Sequence, residues 1–291
     1  MNGHRESHSP TPSLSTHDRI AGLLLGTAVG DALGLPAEGI SPKRIARLWR
    51  GDWHMRLVCG RGMVSDDTEH TIMLAQALLA APDSAEHFQR LLARKLRWWF
   101  LGLPAGVGMA TAKACIKLWL GISPRRSGVW SAGNGPAMRC AIIGAFFPDD
   151  QKKRHDYVAA STRMTHSDPR AEIASLAVTE AAALIVTGQP EKILSMLPSL
   201  GDNAEWQEIC RKLAEADRAR ATVAEFAAML GLFRGVTGYA YHTVPVAIYA
   251  FVRHGNDFRE TLTAVLNCGG DTDTVGAIVG ALVGANVGVA G

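Results

Sequence analysis

From Val275 to Gly291 the chain carries no charged residue, and Gly276, Gly280, Gly284 and Gly288 recur at every fourth place. That spacing puts all four on one side of a helix. Such a side lets a neighbouring backbone approach closely, at some cost in helix propensity. A G-x-x-x-G stripe is also the mark of a membrane helix dimer. A span, however, needs about 20 apolar residues, and this run is shorter and starts directly after Asp271 and Asp273. A helix buried on all sides in a soluble core fits better. The rest of the chain must then be built around it.

The residues before that helix are its opposite in character. Gly269-Gly270 leads into Asp271-Thr272-Asp273-Thr274, and a second acidic cluster, Ser65-Asp66-Asp67-Thr68, lies far upstream. Each packs two carboxylates and neighbouring hydroxyls into four residues, and each precedes an apolar run with helical spacing. Either one alone reads as a helix cap. Together they read differently. Uncompensated carboxylates at the mouth of so apolar a helix are costly. Clustered Asp and Ser/Thr oxygens are what a hard divalent cation requires. If the fold brings the clusters together, four carboxylates meet, and cations would relieve their repulsion.

Helical signals dominate elsewhere. Apolar residues recur at three- and four-residue spacing over Ile20–Leu33, Thr71–Leu79, Phe88–Leu101, Ala137–Phe147, Ile173–Ile185, Phe226–Leu232, Val244–Phe251 and Phe258–Leu266. Asp66 with Glu69 reads as a capping box, and Asp168-Pro169 as a cap with proline in the first turn. Gly, Pro and Asn cluster between these stretches, and no alternating strand pattern, fixed-period repeat or long linker is present. The expected fold is all-α, a single compact multi-helix domain over residues 17–291, with the acidic clusters at helix N-termini. Residues 1–16, polar and rich in Ser, Pro and His, read as a flexible tail without the apolar stretch of a secretory signal.

Charge and cysteines narrow the class. Thirty basic against 27 acidic residues leave +3, too little to argue for a nucleic-acid or membrane partner. The basic Arg90–Arg97 stretch reads as a solvated helix face. Cys59, Cys115, Cys140, Cys210 and Cys268 are scattered and odd in number, against a disulfide framework or a zinc site. A reducing cytoplasm is the expected compartment. Trp98, Trp99, Trp119 and Trp130 read as core packing, with an adenine stack as the alternative.

Three further segments can carry chemistry. Gly30-Asp31-Ala32-Leu33-Gly34 leads to Glu38, a lone carboxylate after Pro36 that is either a general base, a metal ligand or a surface glutamate. Ser131-Ala132-Gly133-Asn134-Gly135-Pro136-Ala137-Met138-Arg139 is a Gly-rich turn opening a helix, able to offer N–H groups to a phosphate or simply to turn. Thr165-His166-Ser167-Asp168 sets a histidine before a helix, where local hydrogen bonding is the plain alternative to function.

In this order, these segments, with Gly238-Tyr239, resemble the ADP-ribosylglycohydrolase family over about Asp18 to Gly288. That family includes dinitrogenase-reductase-activating glycohydrolases and arginine-specific ADP-ribose hydrolases. The joint acidic motifs carry the resemblance. It implies an all-α fold with a binuclear Mg²⁺ or Mn²⁺ centre on Ser65, Asp66, Asp67, Asp271, Asp273 and Thr274. Family members often have threonine where Ser65 stands, and the hydroxyl survives the exchange. The implied reaction is hydrolysis of the bond between ribose C1″ of ADP-ribose and an acceptor, often an arginine nitrogen. Glu38 would be the catalytic base or acid, with Asp31 supporting its loop. Gly133, Asn134 and Gly135 would cradle the pyrophosphate, with Ser131, Met138 and Arg139 lining it and His166 and Tyr239 lining the nucleotide region. Arg139 has a structural alternative, a salt bridge on its own helix. The implied partner is an ADP-ribosylated protein. Two other functions stay open: cleavage of a serine-linked or O-acyl-ADP-ribose bond, or a non-catalytic binder or blocker whose 1–16 arm inserts into a cognate ADP-ribosyltransferase.

Overall fold

The computed structural model describes residues 14–104 and 106–291. Fourteen α-helices run through the described residues: α1 Thr16–Gly34, α2 Pro42–Leu48, α3 Asp66–Ala80, α4 Ala85–Leu101, α5 Met109–Trp119, α6 Ala141–Phe146, α7 Gln151–Arg163, α8 Pro169–Val186, α9 Ile193–Met196, α10 Ala204–Arg218, α11 Val223–Met229, α12 Ala240–His254, α13 Phe258–Leu266 and α14 Thr272–Val287. No strand forms among them; four isolated bridges are the only sheet-like pairings there. The chain is thus all-α, in one domain with a continuous core. Of the expected tail, residues 1–13 lie outside the described residues. Ser15 caps α1 by accepting from the Asp18 amide, and Thr16 is the first helical residue.

The fold is organised around α14, every residue of which is buried from Thr272 to Ala285. Its glycines face α1, which runs antiparallel to it and carries a stripe of its own: Gly22, Gly26, Gly30 and Gly34. A Cβ on Gly22, Gly26 or Gly30 would overlap the carbonyl of Gly284, Gly280 or Gly276, and one on Gly34 that of Thr272. The two backbones therefore touch with no side chain between them. Helices α8, α12 and α13 pack around the rest of α14. Residues 16–37 are long and apolar enough to cross a membrane by length and composition; half of their most apolar window is buried inside this fold.

Of the two expected helix starts, one holds and one differs. Asp168 caps α8 as anticipated, accepting from the Arg170 amide, with Pro169 following it. At α3 the cap is Ser65, not Asp66; its Oγ accepts from the Asp67 amide at 3.3 Å. Glu69 does not reach back to complete a capping box; it accepts instead from Trp99 Nε1 at 2.6 Å. The indole of the neighbouring α4 takes the Glu69 carboxylate away from the helix end.

Candidate functional site

The α1–α14 seam fixes where both acidic clusters lie. Asp31, in the last turns of α1, is fully buried, and its Oδ2 accepts from Ser65 N at 2.9 Å, Thr68 N at 3.2 Å and Thr68 Oγ1 at 2.5 Å. An anion at a helix N-terminus satisfies orphan amides and opposes the dipole, so Asp31 draws the start of α3 onto α1. At the same end of α1, Thr272 Oγ1 donates to Gly34 O at 2.8 Å and anchors the start of α14. The N-termini of α3 and α14 are thereby brought side by side. Thr274 Oγ1 donates to Asp67 Oδ2 at 3.3 Å across the junction, and Ser65 Oγ donates to the same oxygen at 3.0 Å.

Backbone pairing ties the loops around this junction. Gly270 and Ile40 exchange bonds through Gly39 N to Gly270 O at 2.7 Å and Gly270 N to Ile40 O at 2.9 Å, which holds the Glu38 turn. Val236 N donates to Gly269 O and Asp271 N to Val236 O. Asn134 N donates to Gly238 O, and Ala240 N to Ala132 O, so the Gly-rich turn rides on the same web. Gly270, at φ +84°, is in the left-handed region and packs directly on Val236, a position that only glycine fits.

These loops enclose a cavity of about 480 Å³ lined by, among others, Glu38, Asp66, Asp271, Asp273 and Thr274 on one side and Ser131, Gly133, Asn134, Gly135, Met138 and His166 on the other. Glu38, Asp271 and Asp273 each offer an oxygen within 4.8 Å of the others. Ser65, Asp67 and Asp31 lie just beneath, nearly or wholly buried. A larger cavity of about 610 Å³, lined by Arg125, Arg126, Arg163 and Glu172, holds none of these acids.

The electrostatics are those of crowded, desolvated acids. Burial is the main force on all of them, and neighbouring charge adds to it at Asp66, Asp67, Asp273 and Glu38. It pushes Asp66 up to about 7, with Asp31 and Glu69 contributing, and Asp273 up to about 9, with Asp271 and Glu38 contributing. Asp67 is driven well above the usual carboxylate range by burial and then by Asp273 and Asp66. Asp31 and Asp271 rise through burial, and Glu38 through burial and Asp271. Asp31 Oδ1 and Asp67 Oδ1 are buried with no hydrogen-bond partner. Orphaned carboxylate oxygens in an all-oxygen cluster fit a hard divalent cation such as Mg²⁺ or Mn²⁺, and fit poorly with a soft metal.

Most of the expected site residues meet at this cavity or directly under it; two stand behind it. Arg139 is fully buried and does not line the cavity. Its guanidinium donates to Ser161 Oγ and O, Thr165 Oγ1 and Gly135 O and meets His70 Nδ1 at 3.3 Å. It is not in a salt bridge on its own helix; it braces the Gly-rich turn and the His166 loop from below. Tyr239 also stands behind the cavity, with its hydroxyl on Glu205 at 2.7 Å and Arg170 at 3.4 Å. Of the Gly-rich amides, Gly133 N is already engaged by Ser131 Oγ and Asn134 N by Gly238 O. His166 is buried, with Nδ1 2.9 Å from Thr165 Oγ1, and burial and then Arg139 push its pKa down to about 3. A Cβ on Gly133 would stand 3.1 Å from His166 Nε2, so that glycine admits the imidazole.

Some contributors were not anticipated. Gly106, Gly108, Met109 and Thr111 form one wall, Thr68 holds Asp31, and Thr243 holds the Asn134 amide. The sequence signal for the wall was only the Gly102–Gly108 turn cluster. Thr68 stood within the quoted acidic motif, and Thr243 had no signal at all.

Fold and site together define an all-α protein with an acid-floored polar cavity between the starts of α3 and α14. The chain belongs to the ADP-ribosylglycohydrolase family: residues 12–291 match the family's sequence profile. It is similar to ADP-ribosyl-[dinitrogen reductase] glycohydrolase of Rhodospirillum rubrum, 30% identical over 94% of this chain and 87% of that protein. ADP-ribosylhydrolase ARH3 of Gallus gallus is 26% identical over 88% of this chain and 82% of its own length. A solved structure described as an ADP-ribosylglycohydrolase-related protein complex aligns with TM-score 0.68 and 26% identity, covering 94% of this chain and 89% of that one. The chain is accordingly a hydrolase of ADP-ribosyl glycosidic bonds.

Proposed function

We propose that this enzyme releases ADP-ribose from ADP-ribosylated protein, with arginine as the acceptor, and so reverses mono-ADP-ribosylation in a metal-dependent reaction. The observation that carries the reading is the meeting of Glu38, Asp271 and Asp273 oxygens within 4.8 Å on one cavity floor. Support for a protein-linked substrate comes from the Rhodospirillum relative, whose name specifies one. Support for arginine comes from the resemblance to arginine-specific hydrolases.

Ser65, Asp66, Asp67, Asp271, Asp273 and Thr274 are the residues that would hold two cations, Mg²⁺ or Mn²⁺. Bound there, the cations would supply Lewis-acid charge beside the ribose. The glycosidic bond to C1″ breaks through an oxocarbenium-like state. Glu38 takes a proton from the attacking water at its carboxylate and returns one to the leaving nitrogen. The net result places hydroxyl on C1″ and hydrogen on the guanidino nitrogen. Asp31 touches no substrate; it holds the start of α3. Ser131, Gly133, Gly135, Met138 and His166 line the ADP-ribose side, while Arg139 and Tyr239 hold that side from behind.

The test is release of ADP-ribose from two proteins, one modified on arginine and one on serine, with Mg²⁺ or Mn²⁺ present. Faster release from arginine supports the reading. Faster release from serine overturns the acceptor, and release from neither overturns the protein substrate.

A further inference from the structure

Asn134 lies inside the Gly-rich turn, yet its side chain serves the acid side of the cavity. Its Nδ2 donates to Thr243 Oγ1 at 2.9 Å and to Asp271 Oδ2 at 2.5 Å. The orientation of an amide must be argued from its partners, and here the partners decide it. Thr243 Oγ1 gives its hydrogen to Thr237 O at 2.8 Å, so toward Asn134 it can only accept. The Asp271 carboxylate also accepts. A flipped amide would set Oδ1 against two acceptors; as placed, both N–H bonds are used. The backbone is held equally firmly, Asn134 N on Gly238 O at 2.9 Å and Met138 N on Asn134 O at 3.1 Å. Asp271, for its part, stands at the N-cap position of α14 but makes no side-chain cap bond there. Asp273 and Thr274 of that helix also border its carboxylate, and Asn134 is the partner that reaches it from another element.

We infer that Asn134 is a positioning residue for the metal centre: with Thr243 behind it, it grips Asp271 by Oδ2 and leaves the other oxygen for a cation. The inference rests on the metal-dependent reading above and deepens it. Metal ligands are commonly oriented by such outer partners. Thr243 gives the means to separate this role from contact with substrate, because it is fully buried and does not line the cavity.

The experiment is Mn²⁺ titration by calorimetry on the full chain, stripped of metal and free of ADP-ribose. The proteins compared are the unaltered chain, Asn134→Ala, Thr243→Val and Thr243→Ser. Asn134→Ala should weaken Mn²⁺ binding about 10-fold or more, the range for outer partners of ligands. Thr243→Val should weaken it in the same direction by a smaller factor. Thr243→Ser, which keeps the hydroxyl, should stay within about 2-fold of the unaltered chain. If Asn134→Ala does not fold, the Val and Ser pair decides. Equal Mn²⁺ affinity in all the folded proteins overturns the role of Asn134 alone. No Mn²⁺ binding by the unaltered chain overturns the metal reading, and this role with it.

Discussion

Thr274 Oγ1 donates to Asp67 Oδ2 at 3.3 Å, a hydrogen bond between residues 207 positions apart. It joins the two acidic clusters at the point where α3 and α14 both begin. The chemistry of the site follows from that junction, and so do its measurable consequences.

The first consequence is an inverted pH dependence of stability in metal-free protein. Asp66 and Asp273 have folded pKa values near 7 and 9 against an ordinary 3.8. The folded state thus holds protons that the unfolded chain has released. Their contribution to stability is full below about pH 4 and is lost as pH rises through 7 and then 9. In EDTA the melting temperature should fall by several degrees between pH 5 and pH 9. Saturating Mg²⁺ should remove most of that fall. A melting temperature that rises over this range in EDTA would contradict the crowding of these acids.

Glu38 is the carboxylate at the cavity that is most exposed to solvent, and the proposal gives it the proton transfer. Glu38→Gln keeps the shape and removes the transfer. It should lower kcat by about 10²- to 10⁴-fold, the usual worth of a positioned acid–base group. ADP-ribose affinity, measured by calorimetry, should change little. Turnover within a factor of a few of the unaltered enzyme would remove Glu38 from the mechanism.

His166 should stay neutral across the physiological range. Burial, helped by the Arg139 guanidinium, pushes its pKa down to about 3. Its ring resonances, followed by NMR from pH 5 to pH 8, should not titrate. A midpoint between 6 and 7 would mean that the imidazole reaches solvent, contrary to the packing of Gly133 and Gly135 against it.

Much of this was legible in the chain and some was not, for identifiable reasons. The burial of α14 and the two acidic motifs are local patterns, and a local pattern can be read. The partner of the α14 glycines was on the page as well: Gly22, Gly26, Gly30 and Gly34 keep the same four-residue spacing. What ties the two stripes together is backbone contact, which leaves no mark in composition. Helices α7 and α10 escaped notice because they are rich in charged residues and bury only one narrow side. For Arg139 the family resemblance implies a place lining the pyrophosphate, with a salt bridge on its own helix as the alternative, and the structure shows neither. Whether such an arginine faces the cavity or the core depends on Ser161 and Thr165, more than twenty residues further on. The grip of Asn134 on Asp271 spans 137 positions and had no signal in either segment.

The glycine seam carries its own test. A methyl at Gly26 or Gly280 would meet the opposing backbone carbonyl rather than a movable side chain. Gly26→Ala and Gly280→Ala should each cost about 3 kcal/mol, the upper end for forcing a methyl into a packed core. Urea unfolding measures this. Midpoints equal to that of the unaltered chain would show that α1 and α14 are not in backbone contact.

The most direct measurement is hydrolysis of a protein mono-ADP-ribosylated on arginine by enzyme stripped with EDTA, with Mn²⁺ then added back in steps. The account predicts no release of ADP-ribose without metal, and recovery that levels off at two Mn²⁺ per chain. Full release in EDTA would contradict it, because the clustered acids of α3 and α14 would then be working without the cations that explain them.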